Sequence, residues 1–377
     1  MKNPKLFKAL PAALAALGFA SSAHALNLTT IEGTATPAPY VTYGDGNSYS
    51  LPVLGVIYTA LNGGGFTNSI TPGNPYYVAS SPGQIQDLVV VGTGASGGPV
   101  NTNFTGMDNA YPTPNADGIP FFSTGTTADP GQVSPFTGDA ANTWDVRLDA
   151  LSGFVGAGND PVFFFNNNQT NSGAATNQNL AIWAALTLYD DAVGGLSPLT
   201  LYFTNNDGKY ALVSEGGGGV LNGTAGSGTL GAPTGPTAGN NDSTDYVLSG
   251  GALCYTNTFA IVSCTTAGAL GPINHNLGAN QAVYAVVFPR LNEILGTAGF
   301  LGYDVLNIDW RMGCDPATTD GSDNDTAPDC TARSLNNGYE QLFIGATPAS
   351  RVPEPATLAL LGSGLIGLGA LRRRKQA

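Results

Sequence analysis

The chain has 377 residues and a formal net charge of −13, with only 10% of its side chains charged and 42% hydrophobic. Its 52 glycines and 25 prolines make about a fifth of the chain, below the level of low-complexity sequences, so enough apolar and aromatic residues remain to bury a core. The acidic balance argues against nucleic acid as a partner, because phosphates attract Lys/Arg patches that this sequence lacks.

Residues 1–25 read as a secretory signal peptide. Lys2, Lys5 and Lys8 form a basic start, Leu10 to Ala20 an apolar stretch, and Ala23-His24-Ala25 a small-residue cleavage site carried by Ala23 and Ala25. The mature body then covers 26–351. It retains 25 acidic and 6 basic residues, a net of −19, and Lys209 is its only lysine. Such a surface repels anionic polymers and membranes, attracts divalent cations and stays soluble through self-repulsion.

Along the body the signals are mostly extended. Residues 53–58, 87–91, 161–165, 199–203, 210–214, 281–288, 303–310 and 340–344 are short β-rich runs bounded by Gly, Pro, Asn and Asp. Residues 180–189 fit a strand or a buried helix, and their strand-like company favours strand. Asp207-Gly208 predicts a hairpin turn between 199–203 and 210–214. Two short helices are expected. One is capped by Thr143, carries Trp144, Leu148 and Leu151 on one face, and stops at Gly153; the other starts at Pro289 and stops at Gly296. This pattern predicts an all-β fold, an antiparallel β-sandwich of jelly-roll type with a few short helices. Residues 216–241 form a long Gly-rich stretch, either a surface loop or a linker between two lobes, and the loop is favoured.

Several motifs invite chemistry and lack its context. Gly92-Thr93-Gly94-Ala95-Ser96-Gly97 follows a strand, as a dinucleotide loop would, but Pro99 and a polar run follow where a helix is required. The same stretch holds a formal G-x-S-x-G around Ser96, and the body has one histidine, His275, on the polar segment Asn274-His275-Asn276. A hydrogen-bonded loop histidine is the simpler reading than a catalytic base. Asp190 and Asp191 are adjacent, and in a strand their side chains would face opposite ways rather than converge. A glycosidase pair is therefore not indicated there. No catalytic residue is assigned, and the body is expected not to be an enzyme.

The four cysteines fall into two local pairs, Cys254–Cys264 and Cys314–Cys330, which in an exported chain read as disulfides. Asp315, Asp320, Asp323, Asp325 and Asp329 crowd the second loop. That loop reads either as a calcium site using Asp320, Asp323, Asp325 and Asp329, or as an acidic solvated turn. Residues 323–329 resemble the calcium-binding loops of thrombospondin type 3 repeats, departing from them at Ser322 and Thr326.

The chain closes with Val352-Pro353-Glu354-Pro355, an uncharged run from Ala356 to Leu371, and Arg372-Arg373-Arg374-Lys375. Sixteen uncharged residues make roughly 24 Å of helix, a short span whose basic end stays cytoplasmic. Residues 352–377 resemble the PEP-CTERM sorting signal of Gram-negative bacteria. The resemblance implies recognition by an exosortase, a transient inner-membrane anchor, removal of the tail, and delivery to the cell surface or extracellular matrix. The body is similar to uncharacterised secreted proteins that carry such tails, through 163–169 (Phe-Phe-Phe-Asn-Asn-Asn-Gln) and 337–340 (Asn-Gly-Tyr-Glu). The expected role is structural or adhesive, in a biofilm or exopolysaccharide, through polysaccharide contact or self-association. The alternative is a carbohydrate-binding or carbohydrate-active protein using aromatics such as Tyr76, Tyr77, Trp144, Trp183 and Trp310.

Overall fold

A computed structural model describes residues 26–28, 40–64, 70–94, 103–115, 119–169, 178–192, 195–204, 247–250, 252–258, 261–262, 266–313, 335 and 337–349. Strands predominate. The first sheet has seven strands: β1 (Tyr40–Tyr43), β2 (Gly46–Ser50), β3 (Val89–Thr93), β4 (Tyr111–Pro112), β7 (Asn159–Asn166), β14 (Ala282–Val287) and β16 (Leu342–Pro348). Their order is β1-β2-β14-β7-β16-β3-β4, antiparallel except for the β3–β4 pair.

The second sheet is built on two long antiparallel strands, β8 (Gln178–Tyr189) and β15 (Val305–Gly313), paired from Val305↔Tyr189 to Met312↔Ile182. Short strands share the free edges end to end. β9 (Leu199–Phe203) and β10 (Val247–Gly250) lie along β8, while β5 (Phe121–Ser123) and β6 (Trp144–Arg147) lie along β15. A third sheet joins β11 (Ala252–Tyr255), β12 (Ile261–Val262) and β13 (Leu270–Asn274).

The period-2 alternation of strands explains the run of three phenylalanines in β7. Phe163 and Phe165 join a cluster that also holds Leu186, Leu188, Leu306, Ile308 and Trp310 of the second sheet. Phe164 points the other way, into a cluster with Leu51, Leu54 and Ile57 of helix α1 (Leu51–Leu61). β3 and β16 divide likewise: Val89, Val91, Leu342 and Ile344 face the second sheet, and Val90 and Phe343 face the helix side. The seven-stranded sheet is thus buried on both faces. That is why its strands read as continuous apolar runs, although antiparallel sheets often leave one face to water.

Residues 53–58, expected as a strand, lie inside α1. The composition of Val, Ile and Tyr favours a strand, but the local start signal is helical. Ser50 is the N-cap, its Oγ accepting from the Val53 amide at 3.2 Å, and Pro52 occupies a first-turn position that needs no donor. The expected helix from Thr143 is shifted. Trp144–Arg147 is strand β6, and helix α2 (Leu148–Val155) follows it, ending at Gly156 with φ 81° rather than at Gly153. Leu148 and Leu151 still share its buried face. Helix α3 (Pro289–Leu295) begins at Pro289 and ends at Gly296 as expected, and 180–189 is strand throughout. Among the described residues no helix is long and apolar enough to cross a membrane. The apolar C-terminal run, residues 205–246 with the expected turn and long loop, and the signal segment lie outside the described residues.

Candidate functional site

The two stretches 163–169 and 337–340, remote in sequence, meet at one end of the seven-stranded sheet. Asn166, the last residue of β7, accepts from the Gln341 amide at 2.6 Å through Oδ1 and donates to the Ala279 and Tyr339 carbonyls through Nδ2. Asn168 Nδ2 donates to the Gly338 carbonyl at 2.8 Å. Gln341 Nε2 donates to the Ser80 carbonyl, and its Oε1 accepts from the Thr93 hydroxyl at 2.9 Å. Gln169 Nε2 donates to Glu340 Oε1, while the Gln169 carbonyl accepts from Asn276 Nδ2 at 2.6 Å. Buried amides tie four segments together here, as buried polar groups require.

Glu340 is fully buried, and burial pushes its carboxyl up to about 8 despite the hydrogen bond from Gln169. Its Oε2 and both polar atoms of the Asn167 side chain are buried without a hydrogen-bond partner. A neutral Glu340 is the form this environment favours near neutral pH.

A second cluster sits where a turn before β4 meets the segment leading into β6. Asp108 and Asp145 are both fully buried, and Asp139 beside them is exposed. Asp108 Oδ2 accepts from the Asp145 amide at 2.8 Å. Asp145 is held from outside by the Thr143 hydroxyl at 2.7 Å, by the Ala140 amide at 2.5 Å and by Asn307 Nδ2. Burial, reinforced by the charge of Asp145, pushes the Asp108 carboxyl up to about 9. Burial also raises Asp145, less far, to about 6, because the hydrogen bonds from Thr143, Ala140 and Asn307 favour its ionised form.

His275 and Ser50 form a buried pair, with Ser50 Oγ 2.6 Å from His275 Nε2. The imidazole stacks on Tyr284, ring centroids 5.5 Å apart at 10°. Because Ser50 Oγ also caps α1, this serine is occupied by structure. The Gly-x-Gly of β3 is likewise a packing device. A Cβ on Gly92 would lie 2.3 Å from Trp310 Cζ3, and one on Gly94 2.4 Å from Tyr339 Cα.

Asp190 and Asp191 lie past the end of β8, at the turn or strand end that the following glycines favour, so the alternation of a strand does not separate their side chains. Together with Asp304 they bring one carboxylate oxygen each within 4.8 Å of the others. Asp190 accepts from the Ala192 and Leu196 amides, closing a turn, and Asp191 pairs with Arg147 at 3.3 Å.

Of the sites expected from sequence, Cys254 is buried and is not a free thiol. Its expected partner Cys264, the pair Cys314 and Cys330, the loop aspartates Asp320, Asp323, Asp325 and Asp329, Ser96, Ala23, Ala25 and the whole segment 352–377 lie outside the described residues. Trp144, Trp183, Trp310 and Tyr76 are buried, and Tyr77 is half-buried. Sequence reasoning passed over Glu340 and Asp108 as sites. Their partners stand 171 and 37 residues away, and no local spacing reveals such pairs.

Residues 31–311 match the family described as a domain of unknown function, DUF8239, and residues 351–375 match the PEP-CTERM protein-sorting motif. No curated protein and no solved structure matches the chain. The first match ends within β15, whereas β16 lies beyond it in the middle of the seven-stranded sheet, between β7 and β3. The sorting motif indicates export, processing by an exosortase and a transient membrane anchor. Since the family match covers about three quarters of the chain, the protein belongs to the DUF8239 family and is an exported member of it that ends in a PEP-CTERM sorting signal.

Proposed function

We propose that the mature body is a non-enzymatic cell-surface or matrix protein, delivered by its sorting signal and acting in adhesion or biofilm structure. The observation that carries this reading is the sorting motif at 351–375, following closely on β16, which ends at Pro348. In this reading the signal peptide is removed after Ala25 and the tail near Val352–Pro355, leaving 26–351 as one unit. Its two large sheets pack as a β-sandwich around their shared core, with α1 as a third layer. Disulfides Cys254–Cys264 and Cys314–Cys330 brace surface loops in the oxidising environment.

The buried state of Trp144, Trp183, Trp310 and Tyr76 supports a structural role over sugar stacking, which needs exposed rings. The serine beside the only described histidine is a helix cap, which supports the absence of Ser–His hydrolysis. The test is complementation of a deletion strain scored for surface retention and aggregation. The parent gene and the Glu340→Gln and His275→Gln variants should restore the phenotype, and Glu354→Ala should not. Cleavage of the cell's own exopolysaccharide by the purified body would replace this reading with the enzymatic one.

A further inference from the structure

We propose that Asp108, Asp139 and Asp145 form a divalent-cation site that takes calcium. One oxygen of each carboxylate lies within 4.8 Å of the others. Oxygens bound to one calcium ion at about 2.4 Å stand no more than about 4.8 Å apart, so the spacing of the cluster is of the order that a single ion bridges. Acidic proximity alone would not make a site. The independent observation is the state of Asp108, which is fully buried against this cluster with Oδ1 lacking any hydrogen-bond partner. Its other oxygen is already taken by the Asp145 amide. Asn109 Oδ1, next in the chain, is a second buried acceptor without a partner. Buried acceptors without partners, on or next to a member of a carboxylate cluster, call for a positive charge, and the ion pairs of the described arginines go elsewhere. Arg147 engages Asp149 and Asp191, Arg290 engages Glu293, and Arg311 engages Asp309.

The other two carboxylates are held by hydrogen-bond donors, as ligands of a bound ion commonly are. Thr143, Ala140 and Asn307 fix Asp145, and Gln132 Nε2 holds Asp139 Oδ2 at 2.6 Å. Asp139 is exposed, which gives an ion a route in and leaves room for waters to complete a shell of six to eight oxygens. An all-oxygen set selects a hard cation over zinc or copper. Magnesium, at 2.0–2.1 Å, needs its ligands within about 4.2 Å of one another in strict octahedral positions. Calcium accepts irregular shells of six to eight oxygens, which suits carboxylates already fixed by the protein.

The test uses the full-length protein stripped with chelator, then dialysed against radioactive calcium up to about 1 mM, the range of weak extracellular sites. Asp139→Ala is the deciding variant, because its side chain is exposed and its loss leaves the fold intact in chelator. The expected result is that the parent binds one calcium equivalent more than Asp139→Ala, that Asp108→Asn loses the same equivalent, and that excess magnesium does not displace it. An Asp323→Ala/Asp325→Ala variant, altered at the other aspartate-rich stretch of the sequence, should retain it. A parent that binds no calcium, or an Asp139→Ala protein that binds as much as the parent, overturns the assignment.

Discussion

The backbone amide of Leu26 donates to the carbonyl of Ala346 across 3.2 Å. This ties the first described residue to β16, the strand that precedes the sorting motif. Leu26 and Leu28 both enter the core on the α1 side of the seven-stranded sheet, and the Asn27 carbonyl between them accepts from the Tyr76 hydroxyl. Residues 26–28 and the end of β16, the strand that precedes the sorting motif, therefore lie at neighbouring points of the fold. Replacing Leu28 with alanine should cost about 2–5 kcal/mol, the usual range for a buried leucine, measured by denaturant unfolding of the mature protein. A loss below about 0.5 kcal/mol, the scale of surface changes, would show that the N-terminal segment is not part of the packed unit.

Gly92 and Gly94 serve as gaps for Trp310 and Tyr339. Gly94→Ala should destabilise strongly, because the added methyl meets backbone at 2.4 Å. Gly92→Ala presses at 2.3 Å on a tryptophan ring packed between Phe122 and Phe165. Overpacking of this kind costs about 1–3 kcal/mol or more. Equilibrium denaturation of both variants tests this, and stability near that of the parent would contradict the packing role.

Stability should depend on pH through Glu340. Its carboxyl is raised from 4.5 in the unfolded chain to about 8 in the fold, so the folded state holds a proton that the unfolded state releases. The stability it contributes is complete below about pH 4.5, falls as pH rises toward 8, and is flat beyond. Glu340→Gln cannot ionise, so the difference in melting temperature between variant and parent should grow from pH 5 to pH 8 in favour of the variant. A difference that stays constant over this interval contradicts a protonated, buried Glu340. Asp108 and Asp145 bend the profile of both proteins equally and cancel in the comparison.

Ser50→Ala removes the cap of α1 and leaves Nε2 of a buried His275 without its partner. The cap alone is worth about 1 kcal/mol, and an unsatisfied buried group adds about 1–3 kcal/mol. Calorimetric melting should show the combined loss, and any activity of the folded protein should survive the change.

What could be read from sequence followed the range of the interaction. Strands such as 161–165 and 281–288 carry their own apolar runs, and Pro289 and Gly296 bracket α3 with short-range signals. The error at 53–58 came from weighing β-branched composition above Ser50 and Pro52, two start signals that act over a single turn. The double burial of the seven-stranded sheet was latent in Phe163-Phe164-Phe165, which a strand with one wet face would not carry. Asp108–Asp145 and Gln169–Glu340 depend on topology. Neither residue of a pair changes character until the chain returns to it, so composition and spacing are silent. The tail was legible because a sorting signal must be read from a short linear segment.

Export followed by release from the sorting tail is the step on which the proposed surface role turns. Intact-mass measurement of native material from the cell surface or medium tests it most directly. The expected mass is that of a chain beginning at Leu26 and ending near Val352–Pro355, without Arg372 to Ala377, and with the four cysteines oxidised in two bridges. Material that retains the apolar run and its arginines in the surface fraction would contradict it.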